Sequence, residues 1–121
     1  MRSRNFRFKF CSLKKNAEFR YVYSNGKSYA NTFLAVYVVK NIFNETRVGV
    51  SAGKKVGKSV VRNRVKRRVK EACRHMWKNI LPGCAVVVVV RAAAAKAGYA
   101  RIAQSLASLF KRHGIYNGGD I

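Results

Sequence analysis

Val61, Val65, Val69, Ala72, Cys73, Met76 and Ile80 recur at three- and four-residue steps, and no other feature constrains this chain as tightly. The stripe predicts a helix from about Lys58 to Asn79 with one side laid on a core. Arg62, Lys66, Arg67, Lys70 and Arg74 then fall largely away from that side. Between Lys54 and Lys70, nine of seventeen residues are basic, and the first acid on this helix is Glu71. A merely solvated helix face usually mixes signs. Cations held in order by packing can meet phosphates with little further loss of side-chain freedom, and arginine adds bidentate hydrogen bonding. Asn63, between Arg62 and Arg64, is a mediocre residue for a helix interior. A polar contact, either to nearby backbone or to RNA, would account for it.

The charge imbalance extends over the whole chain: 26 Lys and Arg oppose 4 Asp and Glu, a formal +22. A compact fold carries that self-repulsion at a cost in stability, so a polyanionic partner is expected. Apolar residues make up 49% of 121, enough for the core of one domain and too many for a wholly disordered chain. We expect a single nucleic-acid-binding domain over 1–121, with a basic arm over 1–12 and a loose tail over 115–121. A membrane is the weaker partner. No run approaches the ~18 to 20 apolar residues that span a bilayer, and the run Val86 to Val90 ends at Arg91. The stretch Met1 to Phe6 is basic with no apolar region of signal-peptide length after it, so a cytoplasmic location is expected. Cys11, Cys73 and Cys84 are odd in number and lack C-x-x-C spacing. That excludes a disulfide framework and a zinc cluster, and Cys73 and Cys84 read as small core residues.

The remaining elements follow from local pattern. A helix is expected after Leu13, with Asn16 as N-cap, Glu18 favourably placed in the first turn, and Phe19, Val22 and Tyr23 on one face. Asn25-Gly26 stops it. A strand is predicted from Thr32 to Lys40, with Phe33, Ala35, Tyr37 and Val39 on one face and Leu34, Val36 and Val38 on the other, covered at least partly on both sides. Asn41 to Thr46 reads as a turn. A second strand, Arg47 to Gly53, points Gly49, Ser51 and Gly53 to one side, leaving a low surface there. Pro82-Gly83 ends the long helix region, and the valine run in Cys84 to Val90 suits a covered strand. Arg91 to Gly98 is ambiguous. The last helix spans Tyr99 to Arg112, with Ile102, Leu106, Leu109 and Phe110 inward and Gly114 closing it. Helices packed on one small mixed sheet, an α+β arrangement, is the natural two-layer result.

Little points to chemistry by the protein itself. Glu18, Glu45, Glu71 and Asp120 are scattered, so no paired-carboxylate site is expected. His75 and His113 lie near helix C-termini, where a histidine complements the dipole. Lys54 to Ser59 lacks the glycine spacing of a phosphate loop. The aromatic pairs Phe19/Tyr23 and Phe33/Tyr37 could stack unpaired bases, although such spacing by itself favours core packing.

At Arg62-Asn63-Arg64-Val65-Lys66-Arg67 the chain resembles the protein subunit of bacterial ribonuclease P. The resemblance runs from about Leu13 to Arg112 and includes Leu13 to Phe19, Arg47 to Lys58, the valine strand ending at Arg91 and the closing helix. It implies a single-domain α/β sandwich with a left-handed β-α-β crossover, against the usual right-handed expectation. It also implies that Lys54, Lys55, Lys58, Arg62, Asn63, Arg64, Lys66, Arg67 and Lys70 lie near the catalytic RNA subunit and precursor tRNA. A cleft formed by Phe19, Tyr23, Ala35, Tyr37 and Ser51 would hold the single-stranded 5′ leader. The RNA subunit, with Mg2+, would perform the endonucleolytic cut. No catalytic residue, protein-bound metal or cofactor, or obligate protein partner is implied for the chain. Gly53, Ser59 and Lys70 depart from the Ser, Ala and Arg common in the family, and Ala35 is small for a cleft wall. The competing readings are a ribosomal protein or general RNA chaperone, which does not require the ordered motif set, and a DNA-binding helix, for which no helix-turn-helix pairing or dimer seam is evident.

Overall fold

The computed structural model describes residues 16–118. The arm over 1–12, Leu13, Lys14, Lys15 and Asp120 lie outside the described residues. Helix α1 covers Asn16–Asn25. Strands β1, Lys27–Ala30, and β2, Leu34–Val39, follow. Next come β3, Arg47–Ala52, and the long helix α2, Ser59–Met76. Strand β4, Ala85–Val90, and helix α3, Tyr99–Arg112, complete the order. Short 3-10 turns stand at Lys54–Val56, Trp77–Asn79 and Ala92–Lys96. The last of these accounts for the ambiguous alanine stretch: it is helical, but only in a tight turn.

The sheet order is β1-β2-β4-β3. β1 with β2 and β2 with β4 are antiparallel, whereas β3 and β4 are parallel neighbours joined through α2. The valine strand is therefore central, and all of it except the half-buried Val89 is buried, which is why it has no polar alternation. On one face Leu34, Val36, Val38, Val48, Val86 and Val88 meet Val65, Val69, Ala72 and Met76 of α2 and Ile102, Leu106 and Phe110 of α3. On the other, Val22 of α1 packs against Ala85 and Val87 in a smaller cluster. Gly26 ends α1 because a Cβ there would stand 2.5 Å from the Val22 carbonyl and 3.2 Å from that of Val38. The helix can approach the sheet this closely only without a side chain.

Four expectations are corrected. β1 was not foreseen: it is a short edge strand, largely exposed, with no alternation to betray it. Phe33 does not share the Tyr37 face; it packs against the larger core. The Asn31 side chain accepts hydrogen bonds from the Phe33 and Leu34 amides, both at 3.0 Å, turning the backbone just before β2 begins. The tail is not loose at its start. Ile115 is 1% exposed and Tyr116 9%, and Tyr116 bridges to Ile80. The fourth concerns His113, and is taken up with the site.

Candidate nucleic-acid interface

Helix α2 presents the expected cations, though not uniformly. Lys54 and Lys55, in the 3-10 turn before it, are exposed, as are Lys58, Asn63, Arg64, Arg67 and Lys70. Arg62 and Lys66 lie half-buried on a flank rather than clear of the core. The Arg62 Nη2 donates to Ser59 Oγ at 3.1 Å, while its Nε is buried with no partner. Ser59 thus orients one guanidinium edge. The Asn63 side chain makes no hydrogen bond among the described residues. Arg68 is different again: Nη1 donates to the Ala97 carbonyl at 2.7 Å and ties α2 to the segment before α3. At the far end Glu71 meets Arg74 at 3.0 Å and His75 at 3.4 Å. The acid-free stretch therefore ends where the helix does its own charge pairing.

Gly57 sets where this helix starts. Its φ is +147°, and a Cβ would lie 3.0 Å from Val61 Cβ. Glycine lets the chain turn from Lys54–Val56 into α2 while Val61 stays on the core.

The groove residues come together on the α1 side of the sheet. Strand register puts Tyr37, Val87 and Gly49 in one row and Ala35, Val89 and Ser51 in the next. The second row remains half-buried, although Val36 and Val88 on the opposite face are fully buried. The rings of Tyr23 and Tyr37 meet edge to face, centroids 5.0 Å apart at 86°. Tyr23 is 40% exposed, so part of that ring is open. Phe19 packs partly into the small cluster beneath α1. The result is a shallow floor of small and branched residues with an aromatic wall. Ala35 and Ser51 belong to the floor, where small size keeps the row open. Gly49 belongs to the low surface expected of the second strand; Val87 and Val89 were read only as part of a covered strand, and their place in the groove comes from register.

Arg47, at the start of β3, lies over the Phe43 ring at 4.3 Å and 3.6 Å from Glu18. It fastens the first turn of α1 to the sheet edge. Lys27, Lys40 and Arg112 form a further cationic group around a separate cavity. They are too far apart in sequence to be recognised there.

His113 does not act as a dipole-complementing cation. It is 7% exposed, and its Nε2–H donates to the Val36 carbonyl at 2.8 Å. Burial holds it below its ordinary value, reinforced by Lys40, Lys27 and Arg112 and opposed by the Val36 bond. His75 is exposed, with Nδ1 2.7 Å from the Tyr99 hydroxyl. Cys73 and Cys84 are buried free thiols, as expected, and burial pushes Cys73 up to about 12. Among the described residues no three His, Cys, Asp or Glu side chains cluster as metal ligands. No described helix is long and apolar enough to cross a membrane.

The family profile described as ribonuclease P matches residues 8–114. The chain is 48% identical over 106 residues to the ribonuclease P protein component of Clostridium botulinum (strain 657 / Type Ba4), covering 87% of this chain and 96% of that protein. It is 44% identical over 101 residues to the component from Clostridioides difficile (strain 630), covering 83% and 89%. The solved Staphylococcus aureus RNase P protein superposes with a TM-score of 0.82 at 32% identity, covering 90% of this chain and 100% of that one. The Thermotoga maritima RNase P protein gives 0.76 at 28%, covering 84% and 96%. The ordered motifs and the match across most of the sequence converge: the chain belongs to the ribonuclease P protein family.

Proposed function

We propose that the chain binds the catalytic RNA of ribonuclease P and the 5′ leader of precursor tRNA, assisting endonucleolytic removal of that leader in the cytoplasm. The observation that carries this reading is the pairing of two surfaces: a cation face over Lys54 to Lys70 with no acid in it, and a groove walled by Tyr23 and Tyr37 that is only half-buried among the described residues. The first suits phosphates regardless of sequence. The second suits an unpaired strand, whose bases expose the faces that aromatic rings stack on.

The chain's part in the reaction is positional and electrostatic. Lys54, Lys55, Lys58, Arg64, Arg67 and Lys70 offset repulsion between the catalytic RNA and its precursor. That permits close approach and favours divalent-ion occupancy on the RNA. Asn63 adds a donor and an acceptor within the same face. The groove adds contacts available to precursor and absent from mature tRNA, so it favours substrate over product. Hydrolysis is assigned to the RNA. Magnesium is assigned to the RNA also.

Reconstituted cleavage at low magnesium tests the reading. Adding the chain to its catalytic RNA should restore turnover, whereas a general RNA chaperone or ribosomal protein would not. With ~6 to 8 phosphates engaged, log affinity should fall against log salt with a slope of roughly −4 to −7. Tyr37→Ala should weaken precursor binding by about 1 to 3 kcal/mol if a base rests on the ring, with mature tRNA unaffected. Equal losses for both RNAs would refute the leader groove.

A further inference from the structure

Diagonally across the sheet from the start of α2, a cavity of about 340 Å³ is lined by Asn25, Lys27, Tyr29, Lys40, Arg112 and His113, among others. Three elements supply its cations: Lys27 lies on β1, Lys40 just after β2, and Arg112 at the end of α3. No acid lines it, and none of the three cations has an acidic partner among the described residues. Three uncompensated positive charges around one concavity repel one another, and the arrangement is relieved by a bound anion.

The fold holds these groups in place. Tyr29 is the scaffold: the Arg112 guanidinium lies 4.4 Å from its ring centroid, Lys27 Nζ 5.5 Å, and the His113 ring meets it edge-on at 4.8 Å. The ring is already engaged by cations, so the cavity is built to take phosphate rather than to stack a base. His113 is fixed by its bond to Val36 and stays neutral beneath the cluster. Its site thus keeps the cation total at the mouth from rising further.

β1 and β3 are opposite edges of the sheet, and Lys27 stands in the row of Val38, Val86 and Val48. The chain leaves β3 for α2 from the other end of that strand, at Ala52. Three strand spacings across and four residues along separate the two corners by roughly 20 Å. We propose that this corner is a second phosphate site, which holds the sugar–phosphate backbone of the ribonuclease P RNA independently of α2. The chain then grips RNA at two separated points. The proposal rests on the function proposed above. RNA is favoured over free phosphate because a strand already held at α2 presents further phosphates to the second corner at high effective concentration.

The test uses the full chain and the ribonuclease P RNA of the same organism, with affinity measured across a salt series. Lys27 and Lys40 are exposed, so Lys27→Gln/Lys40→Gln leaves the core intact; Arg112→Gln is the third substitution. The double variant should flatten the log affinity against log salt slope by about 1.8, or ~0.9 per lost phosphate contact. In the wild-type chain, the His113 ring followed by NMR should titrate at higher pH when RNA is bound, because phosphate offsets Lys27, Lys40 and Arg112. Inorganic pyrophosphate serves as the small probe. An unchanged slope in the double variant, with a flattened one in Arg64→Gln/Arg67→Gln, overturns the second site and leaves the proposed function standing. A His113 response to pyrophosphate with no change in the RNA slope also overturns it, since the site would then hold free phosphate only. If neither variant alters the slope, the RNA-binding function itself fails.

Discussion

Replacing Thr46 by valine removes one oxygen and almost no volume, yet it should be among the most damaging changes outside the two helix cores. Thr46 is 4% exposed and directly precedes β3. Its Oγ1 donates to the Leu81 carbonyl at 2.5 Å and accepts the Cys84 amide at 3.1 Å. One hydroxyl therefore joins the entrance of β3 to the turn that leads into β4. Cys84 is fully buried, so its amide would lose its acceptor in a place water does not reach. An orphaned buried donor costs about 1 to 3 kcal/mol, and the lost bond to Leu81 roughly a further 0.5 to 1.5. The expected destabilisation is about 2 to 4 kcal/mol. For 121 residues, an unfolding entropy of ~2.1 cal/mol/K per residue converts each kcal/mol into about 4 °C. Thermal unfolding at fixed ionic strength should then show Tm lowered by roughly 8 to 16 °C. Thr46→Ser keeps both hydrogen bonds and should lose far less. A valine variant within about 2 °C of wild type, or a serine variant as damaged as valine, would refute the reasoning.

Two further outcomes follow from the same kind of accounting for polar groups. Folding holds His113 below its ordinary value of 6.5, so the unfolded chain takes up that proton first. Its contribution to stability is complete above that value and is lost as pH falls through it toward the folded value. His113→Gln keeps an N–H for the Val36 carbonyl and should flatten this limb of the stability–pH curve; an equally steep limb would count against the assignment. Arg68 and Arg67 are neighbours with opposite roles. Arg68→Ala should cost about 1.5 to 3 kcal/mol in denaturant unfolding through its bond to Ala97, whereas Arg67→Ala should leave stability within roughly 0.5 kcal/mol and weaken RNA binding. Interchanged effects would mean the α2 surface is wrongly divided.

Much of the architecture could be read locally because it depends on local periodicity. The α2 stripe, the valine strand and the inner face of α3 each bury residues at intervals that the chain itself displays. The span Tyr99–Arg112 matches expectation residue for residue. Where expectation and structure part, a longer-range or side-chain-specific contact intervened. Asn31 turned Phe33 away from Tyr37 by capping two amides. Ile115 and Tyr116 were drawn inward by Ile80 and the core.

The amino-acid order alone determined that a cationic helix would lie on an apolar core, because charge sign and helical period are properties of neighbouring residues. It also carried the family resemblance in Arg62-Asn63-Arg64 and its flanking motifs. Only the tertiary structure decided that Ala35, Val89 and Ser51 share an open row, since three strands far apart in sequence must first pair in register. It likewise decided that Lys27, Lys40 and Arg112 surround one cavity, and that His113 is a buried neutral donor rather than a surface cation. Proximity across the fold governs field and desolvation, and neither can be counted along a chain.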